Sequence, residues 1–372
     1  FWIKRPPMNF SAFDYDCMAS ALQLARKGLE TTHPNPRVGC VITQDEEVIG
    51  KGWHKKAGGP HAEVYALREA GDRAAGATAY VTLEPCGHTG RTRPCVDALI
   101  SAKIARVIFA VGDPNPEVNG SGSERLQQAG IDVQSGLMAT EAEALNAGFF
   151  KRMRHGLPWV RIKLAQSMDG HIALSNGNSQ WISGPESRAD VQRWRARSDA
   201  ILTGIGTVLA DNPSLNVRNG VAARQPLRVI VDSHWRMPAS AKLLGLPGEV
   251  LIAGLQDRQV PQELSSTHAQ CVGMPPSNGG VDLKAVLQEL ATRGINEVQV
   301  EAGATLCGSL VEEGLVDEIL IYQAPVVLGG DAVSPFILPR LDNMDDRVHL
   351  EWADSRFIGC LLYTSDAADD LA

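Results

Sequence analysis

The chain has 372 residues, enough for two domains of ordinary size. Apolar residues make up 44% and charged residues 21%, a globular composition that excludes disorder over long stretches. The net charge of −8 gives no support to a large nucleic-acid-binding surface. Seven cysteines, without an apolar run of membrane-spanning length or a signal peptide, predict a reducing, cytoplasmic setting and no membrane partner.

The two ends of the chain depart from the globular pattern. Met8 is a candidate natural start, which makes residues 1–7 an extension. Residues 360–370 read CLLYTSDAADD, which resembles translated sequencing-adapter read-through; a natural acidic tail is the alternative. We therefore expect residues 360–372 to be non-native and to replace the last strand of a sheet.

Apolar periodicity and turn residues predict alternating helices and strands in the first part of the chain. The predicted helices are 16–28, 61–70, 94–101, 123–129 and 141–153, and the predicted strands are 38–43, 47–53, 77–83, 105–111 and 131–134. This alternation is typical of a three-layer α/β domain. A basic, turn-rich segment at 151–158 marks its end, so we place the first domain at 14–155.

The same reasoning predicts a second α/β unit over residues 156–359. Its predicted strands are 159–165, 200–204, 227–232, 249–253, 297–301 and 318–327, and its predicted helices are 186–196, 283–293 and 306–313. Residues 261–280 are polar and rich in turn formers, which favours a connection around one short strand.

A metal motif lies in the first domain. His61 and Glu63 open a predicted helix, Cys86 follows a strand, and Cys95 comes nine residues later. One imidazole and two thiolates as metal ligands leave a tetrahedral zinc with one open position, as a catalytic site requires. Zinc lowers the pKa of a coordinated water toward ~7, and a carboxylate such as Glu63 then moves protons as the catalytic acid and base.

Two other interpretations of this motif remain open. A closed structural site would use His88 as its fourth ligand. A zinc-stabilised assembly protein is the other alternative, and Glu63 argues against it because such a protein does not need this carboxylate. His-x-Glu with Pro-Cys downstream is the signature of zinc nucleoside and nucleobase deaminases.

The eight residues between Cys86 and Cys95, together with the segment 33–39 (HPNPRVG), resemble the pyrimidine deaminase of riboflavin biosynthesis. The resemblance implies that Asn35 contacts the substrate, and an Asn amide can both donate to and accept from a pyrimidine edge. An Asx turn before a proline is the alternative for Asn35. Arg93 departs from the family pattern, which usually has a proline there.

The second domain has no complete G-x-G-x-x-G fingerprint, so a Rossmann dinucleotide site is not supported. Its segments 163–170, 179–183, 206–213 and 231–233 resemble the riboflavin-pathway reductase. The resemblance implies membership of the bifunctional deaminase–reductase family: a cytidine-deaminase-like domain followed by a dihydrofolate-reductase-like α/β domain. It also implies one zinc ion per chain, NADPH, and a homodimer or higher homo-oligomer.

The resemblance assigns further residues to ligands. The implied NADPH contacts are Ala165, Trp181, Thr207, Asp211, Ser233, Gly303, Ala304, Thr305, Leu306, Cys307, Gly308 and Ser309. The implied substrate contacts are Asn35, Ser179, Arg195, Leu215, Arg218 and Glu301, and the two arginines suit a ribose phosphate. The alternatives are solvated surface charges for the arginines, a helix-ending turn for 211–213 and a tight strand–helix turn for 301–306.

The function implied has two steps on one small phosphorylated pyrimidine. The first removes the amine at C2 of 2,5-diamino-6-ribosylamino-4(3H)-pyrimidinone 5′-phosphate, and the second reduces the ribose of the product to a ribityl chain with NADPH. The alternative is a stand-alone nucleotide deaminase whose second domain binds a ligand without catalysis. The sequence identifies no proton donor for the reduction. Beside the two arginines, Lys163 is a further cationic candidate in the second domain.

Overall fold

The fold is described from a computed structural model. The structure describes residues 10–87, 94–115, 120–218, 224–359 and 361–368. The chain forms two compact units that divide between His155 and Gly156. In the described part of the chain, no helix combines the length and the hydropathy needed to cross a membrane.

The first unit is a five-stranded sheet covered by helices. Its strands are β1 (Gly39–Gln44), β2 (Glu47–Trp53), β3 (Thr78–Leu83), β4 (Arg106–Val111) and β5 (Asp132–Ser135). Its helices are α1 (Ala12–Arg26), α2 (Ala62–Ala70), α3 (Cys95–Ser101), α4 (Ser121–Gln128), α5 (Ala139–Leu145) and α6 (Ala147–His155). The strand order is β2-β1-β3-β4-β5, in which β3, β4 and β5 are parallel and β1 is antiparallel to both of its neighbours.

Two apolar clusters cover the two faces of this sheet. Ala66 of α2, Leu99 of α3 and Leu126 of α4 pack on one face. Met18 of α1 and Ala142 of α5 pack on the other. Side chains alternate along each strand, so both faces of a buried sheet must be apolar. The three-layer arrangement predicted for this unit is present.

The contact between β2 and α2 is close because β2 has glycines on the face that meets the helix. A Cβ atom on Gly50 would lie 2.2 Å from the carbonyl oxygen of Ala66, and one on Gly52 would lie 2.2 Å from that of Ala62. No side chain fits at these distances. The two glycines therefore allow α2, which carries Glu63, to lie directly on the sheet.

The second unit is a nine-stranded sheet with a separate two-stranded ribbon. The strands of the large sheet are β6 (Trp159–Gln166), β7 (Ala200–Gly204), β8 (Leu227–Val231), β9 (Val250–Leu255), β10 (Gln270–Met274), β13 (Glu297–Val300), β14 (Glu318–Gln323), β15 (Leu350–Ile358) and β16 (Leu361–Ala368), and the ribbon is β11 (Pro276–Ser277) with β12 (Gly280–Val281). The helices are α7 (Pro185–Arg197), α8 (Ile205–Asp211), α9 (Gln262–Ser265), α10 (Leu283–Thr292) and α11 (Ala304–Glu312).

The large sheet has the order β10-β9-β8-β7-β13-β6-β14-β16-β15. Its first seven strands are parallel, and the β15–β16 hairpin joins them antiparallel through β16. Leu290 of α10 and Leu310 of α11 pack in the largest apolar cluster, and Val208 of α8 packs in a second one. Val191 of α7 packs with Tyr322 and Tyr363 in a third.

The structure differs from the predicted elements at several places, of which three bear on the sites or on the end of the chain. The helix predicted at 141–153 is divided at Asn146, whose side chain accepts a hydrogen bond from the backbone N–H of Arg37 (2.8 Å) and donates one to its carbonyl (2.9 Å). Helix α8 was not predicted, because Gly206 and its length of seven residues hide the helical period. Residues 361–368, part of the segment expected to be non-native, lie as a strand between β14 and β15.

We predict that Gly52→Ala destabilises the first unit by about 2 kcal/mol or more, because the added methyl group forces α2 away from the sheet. Chemical denaturation measures the effect. The matched control is Lys51→Ala, at an exposed position on the same strand, which should change stability by less than about 0.5 kcal/mol. Equal stabilities for the two variants would show that the contact between β2 and α2 is not tight.

Candidate active sites

Three potential metal ligands converge in the first unit. His61 is the residue before α2, Cys86 follows β3, and Cys95 is the first residue of α3. One ligand atom from each residue lies within 4.8 Å of the others. The Nδ1 atom of His61 is 3.0 Å from Sγ of Cys95 and 3.6 Å from Sγ of Cys86. The structure therefore brings together the metal ligands predicted from the sequence.

The donor atoms of this group are of the kinds that bind a metal cation. A hydrogen bond from the Cys95 thiol lowers the pKa of Cys86, and the same hydrogen bond raises the pKa of Cys95. The Cys86 sulfur also accepts the backbone N–H of Cys95 (3.3 Å). A thiolate, a second thiol and an imidazole nitrogen at these distances match the ligand set of zinc, which binds deprotonated sulfur. His88, considered as a fourth ligand, lies outside the described residues, as do Arg91 and Arg93.

Glu63 lies beside the metal ligands in the first turn of α2. It is 2% exposed, and its Oε2 atom has no hydrogen-bond partner among the described residues. Burial raises the pKa of Glu63, although the nearby His61 opposes the shift. A buried carboxyl group without a full set of partners is uncommon and suits proton transfer.

Glu63 and His61 line a cavity of about 420 Å³. Asn35, predicted as a substrate contact, is part of the same wall. Sequence reasoning missed other polar lining residues: His54, Glu84, Asp113, Asn115 and Arg152. Three of them share a positional signal, since His54, Glu84 and Asp113 each follow the end of a strand.

His54, one of these missed residues, is held through both of its ring nitrogens. Its Nδ1 atom lies 3.1 Å from the carbonyl of Pro60, which only accepts, so Nδ1 carries the proton. Its Nε2 atom then accepts from the side-chain amide of Asn35 (3.2 Å). The ring of His54 meets that of His61 edge to face at 5.3 Å between centroids. Burial lowers the pKa of His54, so a neutral imidazole orients Asn35 in the cavity wall.

In the second unit, residues predicted to bind NADPH follow the carboxyl ends of adjacent parallel strands. Ala165 lies near the end of β6, Thr207 follows β7, Ser233 follows β8, and Gly303 follows β13. Ligands of open α/β sheets bind at this edge. Residues Gly303–Ser309 form the start of α11, whose N–H groups suit a phosphate, and a Cβ on Gly303 or Gly206 would meet only open space. These features fit a dinucleotide.

The predicted substrate contacts Arg195 and Glu301 form a buried pair. Nε and Nη2 of Arg195 each lie 2.7 Å from one oxygen of Glu301, and Nη1 donates to the carbonyl of Asn216 (3.0 Å). Gln299 donates a third hydrogen bond to Glu301 (2.7 Å). Arg195 was expected to bind a substrate phosphate through two of its nitrogens. In this structure the same two nitrogens bind the Glu301 carboxylate.

The charges around Glu301 determine its protonation. Burial alone raises the pKa of Glu301, but the charge and hydrogen bonds of Arg195, with a contribution from Lys163, outweigh burial and lower it to about 2. Burial lowers the pKa of Lys163, and Glu301 opposes that shift. Glu301 is thus a fixed negative charge beside two cations.

The remaining predicted residues are more dispersed. Ser179 and Trp181 lie on the exposed loop between β6 and α7, where the Trp181 ring is 71% exposed and lies 4.7 Å from the Arg188 guanidinium. Asp211 ends α8 and is exposed. Leu215 is buried, and Arg218 is exposed while its backbone N–H donates to Gln192 (2.8 Å).

The folds and sites together define a zinc-dependent deaminase unit followed by a second α/β unit. The carboxyl ends of the parallel strands in that second unit suit a dinucleotide cofactor. Two family models match accordingly: "Cytidine and deoxycytidylate deaminase zinc-binding region" at residues 11–111 and "RibD C-terminal domain" at residues 158–362. The riboflavin biosynthesis protein RibD of Escherichia coli K12 is 48% identical, over 92% of this chain and 96% of that protein. RibD of Bacillus amyloliquefaciens is 40% identical over 93% of each chain.

Solved structures agree with these relatives. RibD of Acinetobacter baumannii matches with a TM-score of 0.90 and 43% identity, over 96% of this chain and 99% of that one. A Thermotoga maritima structure described as a diaminohydroxyphosphoribosylaminopyrimidine deaminase/5-amino-6-(5-phosphoribosylamino)uracil reductase matches with a TM-score of 0.85 and 30% identity, over the same shares. The chain belongs to the RibD family of riboflavin biosynthesis proteins. The expected fold class, the bifunctional deaminase–reductase assignment and a zinc-binding deaminase domain are confirmed.

We predict that Glu301 makes the second unit sensitive to acid. A carboxyl group whose pKa is about 2 in the folded state and 4.5 when unfolded stabilises the fold above pH 4.5. That contribution, of order 3 kcal/mol, is lost as the pH falls from 4.5 toward 2. Urea denaturation at several pH values should show a steeper loss of stability in this window for the wild type than for Glu301→Gln. Parallel pH profiles for the two proteins would contradict the assignment.

Proposed function

We propose that the first unit hydrolyses the C2 amine of 2,5-diamino-6-ribosylamino-4(3H)-pyrimidinone 5′-phosphate. We propose that the second unit then reduces the ribose of 5-amino-6-(5-phosphoribosylamino)uracil. One observation supports the first step most strongly. Glu63 is buried beside three convergent metal ligands in one cavity, and its Oε2 atom has no hydrogen-bond partner among the described residues. Membership of the RibD family supports the pairing of the two steps.

The deamination needs a residue that moves protons. His61, Cys86 and Cys95 would hold the zinc, which when bound supplies a Lewis acid that makes water nucleophilic at neutral pH. Glu63 takes a proton from the attacking water and delivers it to the amine, so that the C2–N bond breaks and ammonia leaves. Burial raises the pKa of Glu63, and a less acidic carboxyl group holds a proton more readily between its two transfers.

Asn35 orients the pyrimidine in this proposal. His54 accepts a hydrogen bond from the Asn35 amide nitrogen, which fixes the side chain and directs its carbonyl oxygen to a donor on the substrate. An Asx turn before a proline does not require this bond to a buried histidine. The contact with His54 therefore favours the substrate role over the alternative.

The reduction takes place at the carboxyl edge of β6, β7, β8 and β13. The reductase domain uses NADPH, which supplies the hydride when bound. We assign the cofactor to Ala165, Trp181, Thr207, Asp211, Ser233 and the residues from Gly303 to Ser309. The substrate contacts are Ser179, Leu215 and Arg218 together with the Arg195–Glu301 pair, in which Glu301 is a hydrogen-bond acceptor for ribose hydroxyl groups.

The chain's partners follow from these assignments. The substrate is a small phosphorylated pyrimidine, and zinc bound through thiolates suits the reducing cytoplasm. We further propose a homodimer or higher homo-oligomer. Its support is β15, the edge strand of the large sheet, because a long edge strand that exposes Trp352 and Phe357 is an unfavourable surface for a monomer.

We predict that Glu63→Gln lowers the deamination rate by about a hundredfold to ten-thousandfold, because the amide cannot carry the proton. Ammonia release measures this step, and zinc content should stay at one ion per chain. NADPH oxidation with the deaminated intermediate should be unchanged. The matched control is Glu69→Gln on the exposed part of α2. Normal ammonia release by Glu63→Gln would exclude the proposed mechanism, and absent NADPH oxidation by the wild type would favour the stand-alone deaminase.

We also predict that Arg218→Ala raises the KM of the reductase for its phosphorylated substrate by about tenfold or more, because a charge-assisted hydrogen bond is lost. The KM for NADPH should not change. Arg193→Ala, which removes an exposed arginine of α7 that pairs with Asp190, is the control. If the KM for NADPH rises as much as the KM for the phosphorylated substrate, Arg218 does not bind the substrate phosphate.

A further inference from the structure

A second buried carboxylate lies next to the metal ligands of the first unit. Glu84 follows β3, two residues before Cys86, and is 4% exposed. Its Oε2 atom accepts the backbone N–H groups of Asp113 (3.4 Å) and Gly120 (3.2 Å). Its Oε1 atom accepts the backbone N–H (3.1 Å) and the hydroxyl (2.8 Å) of Ser123. All four donors belong to the stretch of chain between β4 and the first turn of α4.

These contacts make Glu84 the acceptor for the amino end of α4. The residue before this helix, Gly120, has no side chain to accept its N–H groups. The carboxylate of Glu84 takes that role from another part of the chain, and its negative charge is favourable at the positive end of the helix dipole. The hydrogen bonds compensate the burial of the charge.

The backbones of the two segments are also in direct contact. A Cβ atom on Gly122 would lie 1.8 Å from the carbonyl oxygen of Pro85. A Cβ atom on Gly87 would lie 2.8 Å from the hydroxyl of Ser121. The turn that carries Cys86 therefore cannot move independently of the start of α4.

The same stretch of chain contributes polar residues to the cavity. Asp113 and Asn115 line it together with Glu63, and the Asp113 carboxylate accepts the backbone N–H of Asn115 (2.9 Å). Glu84 thus joins the side of the cavity that carries a metal ligand to the side that carries these two residues. A displacement of one side relative to the other changes the space that a substrate fills.

We propose that Glu84 is a positioning residue of the deaminase site: it sets the distance between the Cys86 turn and the Asp113–Asn115 wall. The inference rests on the proposed deamination. It assigns to Glu84 no contact with the reacting atoms and no transfer of a proton. The carboxylate is required because both of its oxygens accept from N–H groups, whereas an amide in its place turns an N–H toward another N–H.

The test compares the wild type with Glu84→Gln and Gly122→Ala. Glu84→Gln should raise the KM for the deaminase substrate by about tenfold or more, with a smaller change in kcat. Gly122→Ala retains the carboxylate and its four donors but separates the same two segments, and should raise the KM similarly. Ser123→Ala removes only the hydroxyl bond, so its effect should be smaller than that of either variant.

Two further readouts separate positioning from a general loss of structure. The amide protons of Asp113, Gly120 and Ser123 should exchange faster in Glu84→Gln, while those of β3 keep their protection. Zinc content should remain one ion per chain in every variant, and NADPH oxidation with the deaminated intermediate serves as an internal reference for folding of the second unit.

The outcomes are distinguishable. A lower unfolding midpoint with an unchanged KM, in Glu84→Gln or in Gly122→Ala, would overturn the proposal and leave Glu84 a purely structural role. Loss of zinc from Glu84→Gln would also overturn it, because Glu84 would then act on Cys86 alone. If Glu84→Gln does not fold, Gly122→Ala decides. A wild-type protein that binds zinc but releases no ammonia would refute the proposed function instead, and amide exchange would still test the link between the two segments.

Discussion

The convergence of His61, Cys86 and Cys95 is the constraint on which the first unit depends. Each of these residues lies where one element begins or ends, so the distances among their ligand atoms follow from how α2, β3 and α3 pack. Nδ1 of His61 lies 3.0 Å from Sγ of Cys95 and 3.6 Å from Sγ of Cys86, so the three donor atoms are close enough to bind one ion. Gly50 and Gly52 allow the close packing of α2 on the sheet, and so belong to the same constraint.

The two units use one rule of sheet geometry. In the first, Glu84 and Asp113 follow the ends of the parallel strands β3 and β4; in the second, the predicted cofactor residues follow β6, β7, β8 and β13. Parallel strands end at one edge, so residues far apart in sequence become neighbours there. A local sequence motif therefore contains only some of the residues of each site. The order of the strands in the sheet places the other residues beside them.

This rule explains how much of the molecule is predictable from its sequence. Strands such as β1 and β7 were predicted within one or two residues, because their apolar pattern is strong. His61, Glu63 and the two cysteines were found because their chemistry and spacing are characteristic. His54 and Glu84 were not, since their roles depend on Pro60, Asn35, Gly120 and Ser123, which only tertiary structure places beside them. The pairing of Arg195 with Glu301 was hidden for the same reason.

The roles proposed for Glu63 and Glu301 differ because the surroundings of the two carboxyl groups differ. Both are largely removed from water, which alone raises the pKa of each carboxyl group. Glu63 has one oxygen without a partner and keeps a raised pKa, so it is able to exchange a proton. Glu301 lies against Arg195 and near Lys163, which lower its pKa to about 2 and keep it charged. Environments that move the two pKa values in opposite directions thereby separate the roles: a proton carrier suits hydrolysis of an amine, and a permanent acceptor suits a ribose that must be held while hydride is delivered.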